Sequence, residues 1–243
     1  MGDLDRSVLR STSAHVLVDT DHLDTDRLGT GGEVAIDDDT EHHLRRVLRL
    51  RDGDAVSVTD GQGRWCLAVV IVDGNALRLE ATAPVVVEPA SARTITIAAA
   101  MPKGDRLDWM VQKVTELGVD RLVLLHAEHS VVRWKPDRAE HQLARLQRIA
   151  DEALRQSRRV LRMTIDAPVA ATDVLGHFVV AEPGGRTIRA GDTAVAVGPE
   201  GGWSASELAV CPDRIDLGPT ILRTETAALT GLTLLQARFG DLG

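Results

Sequence analysis

The sequence predicts an α/β protein in two parts: a small β-barrel or sandwich of about 80 residues, then a mostly parallel sheet with helices on both faces. Three observations carry that expectation. Residues 1–83 hold short β-rich runs separated by turn residues. From residue 94 to residue 243, apolar strand-like runs alternate with helical patterns. Between them, "APVVVEPASAR" (Ala83–Arg93) carries two prolines and reads as a linker.

In the first part, "AHVLVD", "AVSVTD", "RWCLAVVIVD" and "ALRLEAT" read as strands because β-branched and aliphatic residues dominate them. "DGQG" and "DGN" are the turns between them. One helix, Thr40 to Leu50, interrupts the series, with Thr40 placed to cap it. In the second part, "TITIAAA" is a strand, and "GDRLDWMVQKVTELGV" is a helix with Leu107, Met110, Val111, Val114 and Leu117 along one stripe. Gly118 stands where a helix end favours a left-handed residue. "RLVLL" is the next strand, and Pro136 opens a long helix near the first-turn position that tolerates proline. "HFVVAE", "TAVAVG" and "RIDLG" are further strands, and Thr224 to Phe239 is a closing helix.

Composition narrows the function. Only 2% of the 243 residues are aromatic and Tyr is absent, so Ala, Val and Leu must fill the core. Cys66 and Cys211 lie far apart with no metal spacing, which argues against a disulfide framework and for a reducing, cytoplasmic setting. The start "MGDLDRSVLRSTS" has no apolar run of a signal peptide, and Arg6 stands where myristoylation needs Ser or Thr. No apolar run is long enough to span a bilayer. The net charge of −8 argues against a generally basic coat for nucleic acid, but arginine is concentrated in "HHLRRVLRLR" (His42–Arg51) and "ARLQRIADEALRQSRRVLR" (Ala144–Arg162). Each cluster is a solvated helix face or a local phosphate-binding surface.

Two loops stand out. "VGPEGGWSASELA" (Val197–Ala209) follows a predicted strand, and the Ser204–Glu207 spacing of a capping box starts the helix after it. Gly198, Gly201 and Gly202 permit close backbone approach, so this loop offers N–H and C=O groups rather than side chains to a ligand. It is neither a P-loop nor a dinucleotide fingerprint, because the glycine spacing differs and Pro199 intervenes. "LGPTILRTETAALTGL" (Leu217–Leu232) repeats the plan of strand, Gly-Pro turn and helix, with Thr224 or Thr226 as cap. Two such loops in one sheet read as two walls of a pocket. "HAEHS" (His126–Ser130) has a His-x-x-His spacing but no further ligands, so no metal is expected.

These two segments closely resemble the signature motifs of the SPOUT-class ribosomal RNA methyltransferases that modify N3 of a uridine in the small subunit, the RsmE family. "KGDRLDWMVQKVTELGV" (Lys103–Val119), "WKPDRAEHQLARLQRIADEALRQSRR" (Trp134–Arg159) and "HHLRRVLRLRDGD" (His42–Asp54) resemble further family segments in the same order. The opening departs from the pattern: the family has an Arg followed closely by an aromatic, whereas Ala14 and His15 stand here.

The resemblance implies a PUA-like barrel over residues 1–83 and, over residues 94–243, a SPOUT domain whose chain end threads a loop into a trefoil knot. It implies S-adenosylmethionine as cofactor, held by Glu182, by Gly198, Pro199, Glu200, Gly201 and Gly202, and by Leu217, Gly218, Leu222, Arg223 and Thr224. Arg159 and Arg223 would stabilise charge on the uracil oxygens, or else contact phosphate or form a structural ion pair; Glu200 would accept a proton, or else orient the glycine loop. Arg10, Arg45, Arg46, Arg49, Lys103, Lys113, Arg155 and Arg158 would hold phosphates of 16S rRNA. Trp65, Trp109, Trp134 and Trp203 would stack on bases or fill the core. The partners implied are the assembled small subunit and a second copy of the chain, with no membrane. Two other readings keep part of this: a SPOUT enzyme acting on another RNA nucleotide, and a non-catalytic ribosome-assembly factor.

Overall fold

Two six-stranded sheets organise the chain, whose computed structural model describes residues 6–25, 28–89 and 93–239. Backbone proximity divides it into one unit of Met1–Ser91 with Leu154–Arg162 and another of Ala92–Ala153 with Met163–Gly243.

The first unit contains β1 (Ala14–Leu17), β2 (Glu33–Val34), α1 (Asp38–His42), β3 (Ala55–Thr59), β4 (Arg64–Asp73), β5 (Ala76–Ala81) and β6 (Val86–Val87). The strand order is β1-β3-β4-β5-β2, with β6 on β4, and only the β1–β3 pair is parallel. Alternate residues face one core: Val56 and Val58, then Cys66, Ala68 and Val70, then Leu77, Leu79 and Ala81. The turn "DGQG" closes because Asp60 Oδ1 accepts from the N–H groups of Gln62 (2.7 Å) and Arg64 (3.1 Å), with Gly61 and Gly63 at positive φ. β6 lies within the stretch expected to be only a linker.

The predicted helix from Thr40 to Leu50 is shorter and starts earlier. Asp37 is its cap and accepts the Thr40 N–H at 2.7 Å, which puts Thr40 inside α1. A π turn over His43–Val47 follows, and Arg49 at φ 54 ends the segment. With Leu44 its one buried side chain, the π turn has little apolar surface to hold it straight.

A polar cluster sits under β1. His15, 4% exposed, places Nδ1 2.7 Å from the Ser57 hydroxyl and Nε2 2.9 Å from the Arg159 carbonyl. Burial, opposed by that carbonyl and reinforced by the charges of Arg158 and Arg155, pushes His15 down to about 4.

The second unit contains β7 (Thr96–Ala100), α2 (Asp105–Glu116), β8 (Arg121–His126), α3 (Pro136–Ser157, its last turn counted with the first unit), β9 (Thr164–Ala170), α4 (Ala171–Val174), β10 (Val179–Arg186), β11 (Ala194–Val197), α5 (Ala205–Val210), β12 (Arg214–Ile215) and α6 (Thr224–Phe239). Its order is β12-β10-β11-β7-β8-β9, and every pairing is parallel. Successive residues of β7 go to opposite faces: Ile97 and Ala99 join the core under α2 and α6, while Ala98 and Ala100 join the one under α4 and α5. Both faces being covered explains the nearly unbroken apolar runs. On α2, Leu107, Met110, Val111 and Val114 are buried as the stripe predicts, but Leu117 is 36% exposed. The helix has already ended there: Gly118 takes φ 92 and the Val119 N–H reaches back to the Val114 carbonyl at 3.0 Å. β9 was not anticipated, because an edge strand with Pro168 and a half-exposed face shows no apolar run.

The His15 burial has a consequence for stability. The unfolded ring takes up its proton near its ordinary 6.5, so between that value and about 4 the unfolded chain binds more protons and folding weakens as pH falls. At about pH 5 this removes roughly 2 kcal/mol. In chemical denaturation, the stability advantage of the native chain over a His15→Gln variant is expected to shrink by about that amount between about pH 7.5 and about pH 5.

Candidate functional site

The second unit carries a cleft of about 370 Å³ lined from three directions: Ala181–Pro183 on β10, Val197–Trp203 after β11, and the loop from Asp216 to Leu222 after β12, floored by Thr224 and Ala227 of α6. It lies at the carboxyl ends of parallel strands, where loop backbone is free to meet a ligand. The cavity falls within the range of small-molecule sites.

Each loop is braced by side chains from its neighbours. Trp203 lies flat against Gly198, so close that a Cβ there would stand 2.9 Å from its Cε2 atom. Its indole N–H donates to the Ala181 carbonyl at 3.2 Å, tying the β11 loop to β10. A Cβ on Gly201 would meet the His129 Cβ at 3.0 Å, and His129 Nδ1 is 3.1 Å from the carbonyls of Gly201 and Gly202. Two of the three glycines therefore make room for the protein's own side chains. Gly202 and Gly218 differ: each has positive φ, each lines the cleft, and nothing lies within 4 Å of where a Cβ would project.

Carboxylates complete the bracing. Asp216 accepts from the Gly218 N–H at 2.8 Å and from the Gly184 N–H at 2.9 Å, joining the loops after β12 and within β10. Those two bonds hold its carboxyl below the ordinary carboxylate range. Glu207, buried, forms both arms of the predicted capping box with Ser204, and its other oxygen accepts the Glu128 N–H at 2.8 Å. The Thr224 hydroxyl donates to the Gly198 carbonyl at 2.9 Å, which fastens α6 to the glycine loop.

Glu200 is paired with Arg106 at 2.6 Å, and the same guanidinium stands 3.7 Å from buried Glu225. Burial raises Glu200, but its own backbone N–H, Arg106 and the nearby charge of Arg223 outweigh it and hold the carboxyl below its ordinary value. A carboxylate so held suits orientation of the loop better than proton uptake near neutral pH.

Ten of the eleven residues expected to hold the cofactor line this cleft: Glu182, Gly198, Pro199, Glu200, Gly201, Gly202, Leu217, Gly218, Leu222 and Thr224. Arg223 is exposed beside it rather than a lining residue. Arg159 belongs to the first unit.

The residues expected on phosphates divide. Arg10, Arg46, Arg49 and Lys103 are exposed and Arg155 is half-buried. Arg45 instead reaches the backbone carbonyl and side-chain oxygen of Asn75, Arg158 donates to the Thr12 carbonyl at 2.8 Å, and Lys113 pairs with Glu116 at 2.7 Å. Trp65 is a core residue, fully buried with its N–H on Glu88 at 2.9 Å, while Trp109 is exposed. Within "HAEHS", His126 Nε2 accepts the Trp134 N–H at 3.4 Å and His129 braces the glycine loop, so both rings have partners other than a metal. Sequence reasoning missed Arg106 and Asp216 and weighed His129 only as half of a His-x-x-His metal spacing; only the Asp-x-Gly spacing before the second loop signalled Asp216.

An all-parallel sheet covered by helices, with a backbone-lined cleft at the carboxyl ends of its strands, is the architecture of an α/β ligand-binding domain. A family model described as RNA methyltransferase domain matches residues 89–236, and one described as RNA methyltransferase PUA domain matches residues 36–81. The chain is 31% identical over 226 residues to ribosomal RNA small subunit methyltransferase E of Mycobacterium bovis, covering 84% of this chain and 86% of that one. It is 30% identical over 227 residues to the Bacillus subtilis protein of the same name, covering 80% and 86%. The crystal structure of the Neisseria gonorrhoeae ribosomal RNA small subunit methyltransferase E, bound to S-adenosyl methionine, superposes with a TM-score of 0.77 at 26% identity over 92% of this chain and 97% of that one. The chain belongs to the ribosomal RNA small subunit methyltransferase E family.

The contact between Gly198 and Trp203 makes a direct prediction. Gly198→Ala is expected to force the ring out of its seat at a cost of about 1–3 kcal/mol, seen as a lower melting temperature. Gly202→Ala clashes with nothing and meets only the strain of φ 74, so its loss is expected to be smaller.

Proposed function

We propose that this protein methylates N3 of a uridine in the 16S rRNA of the small ribosomal subunit, using S-adenosylmethionine. The observation that carries this reading is the cleft of three backbone loops in a chain of this family. The cleft fits such a group by its volume and by the open space in front of Gly202 and Gly218, which leaves their backbone free to approach an adenosyl or methionine moiety. Gly198–Gly202, Leu217, Gly218, Leu222 and Thr224 would hold it, with Glu182 at the opposite wall. When bound, S-adenosylmethionine supplies an activated methyl group, so the protein's task is placement and charge control.

On this reading the two units divide the work. Residues 1–83 would form the PUA-like domain and residues 94–243 the knotted SPOUT domain, with Leu154–Arg162 of that stretch counted with the first unit. Arg159 and Arg223 would offset negative charge on the uracil oxygens as N3 loses its proton. Glu200, locked to Arg106, orients the loop. Arg10, Arg46, Arg49, Lys103 and Arg155 would meet phosphates, and the uridine must leave any stack to expose N3. A net charge of −8 favours a folded particle over naked RNA as substrate. The chain would work in the cytoplasm as a homodimer, with exposed Ile221 and Leu234 suited to the contact.

Two measurements test this. Undermethylated small subunits incubated with the protein and S-adenosylmethionine are expected to gain 3-methyluridine by mass spectrometry; methylation of another nucleotide, or none, would overturn the reading. Asp216→Asn leaves one of two loop N–H groups without its acceptor and is expected to weaken S-adenosylmethionine binding about tenfold in calorimetry.

A further inference from the structure

We infer that His15 is a positioning residue for Arg159: the imidazole bridges the Ser57 hydroxyl and the Arg159 carbonyl and fixes the backbone from which the Arg159 side chain leaves. The inference rests on the proposed role of Arg159 at the uracil.

The chain leaves α3 through an awkward turn. Arg158 adopts φ 61, a left-handed conformation that a residue with a side chain keeps only when its surroundings hold it. The hold comes from both sides. The Arg159 N–H donates to the Leu154 carbonyl at 3.1 Å, and the Arg158 guanidinium donates to the Thr12 carbonyl at 2.8 Å. Beyond it, Val160 is buried against Leu9 and Trp65, and its carbonyl accepts from the Gly63 N–H at 2.9 Å and the Thr59 hydroxyl at 3.3 Å. The Arg159 carbonyl is the remaining link, and His15 makes it.

The tautomer follows from the partners. A carbonyl only accepts, so Nε2 carries the hydrogen and Nδ1 is bare, and the Ser57 hydroxyl must donate to it. With the ring pushed down to about 4 by burial, this neutral form prevails at physiological pH. An apolar ring of similar size would fill the same space without desolvating two nitrogens. What the imidazole adds is the bond to the carbonyl of a functional arginine.

The test is a double-mutant cycle on full-length protein with undermethylated small subunits. His15→Phe is expected to lower kcat on the order of ten- to a hundredfold while leaving KM for S-adenosylmethionine unchanged, because a displaced reacting group costs rate. His15→Gln, whose amide restores a donor near Nε2, is expected to recover most of that loss. In an Arg159→Ala background, His15→Phe is expected to have no further effect. Equal losses from His15→Phe in both backgrounds, or no recovery with His15→Gln, would overturn the inference. Full activity of Arg159→Ala would instead overturn the proposed role of Arg159, and this inference with it. Should His15→Phe fail to fold, ¹⁵N spectra of the native ring decide: a hydrogen on Nε2 and a bare Nδ1 support the inference, and the opposite tautomer refutes it.

Discussion

The cleft depends on one contact, the Trp203 ring against Gly198. Three loops from different strands must present backbone to a common space, and backbone alone cannot hold loops apart. The ring occupies the position a side chain at 198 would need and donates to the Ala181 carbonyl, so it sets the spacing between the loop after β11 and the strand β10. Thr224 then attaches α6 to the same Gly198 from the other side, and Asp216 fixes the third loop to Gly184. Removing side chains from a loop is thus only half of building such a site. The other half is a set of rings and carboxylates behind it that restore the rigidity glycine gives up.

This division decides what the sequence could reveal. The parallel strands were legible because burial on both faces leaves apolar runs, and Ser204–Glu207 because both partners of a capping box lie within one turn. The glycines were legible as a loop, but not what stands behind Gly198 and Gly201, where Trp203 and His129 occupy the space a Cβ would need. Arg106 with Glu200 and Asp216 with Gly184 were not legible: their partners stand 94 and 32 residues apart, and no local rule links them. β9 escaped because a proline and a half-exposed edge erase its pattern, and Thr40 was misread because an equally good cap lay three residues earlier.

Charge follows the same logic. The 28 Lys and Arg are outnumbered by 36 Asp and Glu, and several that look available in the sequence are consumed internally: Arg106 by Glu200 and Glu225, Lys113 by Glu116, Arg45 by Asn75, Arg158 by Thr12. Counting arginines in a motif therefore overstates its phosphate-binding capacity. A half-buried ion pair such as Lys113–Glu116 lowers the positive field that a phosphate would feel.

Among the described residues, φ is positive at only two positions other than glycine, and both are arginines: Arg49 and Arg158. Each ends a helical segment inside one of the two arginine-rich stretches. A glycine there would end the helix without strain, as Gly118 ends α2. Placing arginine at such a point sacrifices conformational ease for a long cationic side chain launched from a sharply defined bend. At Arg158 the side chain returns to brace the bend itself, through the Thr12 carbonyl, and the carbonyl of the next residue, Arg159, accepts from His15. The order of the two arginines then has a physical meaning: the first supports the turn with its side chain, and the second is held in it by its backbone. Exchanging which of them is charged is not a neutral change, even though the composition of the motif would be the same.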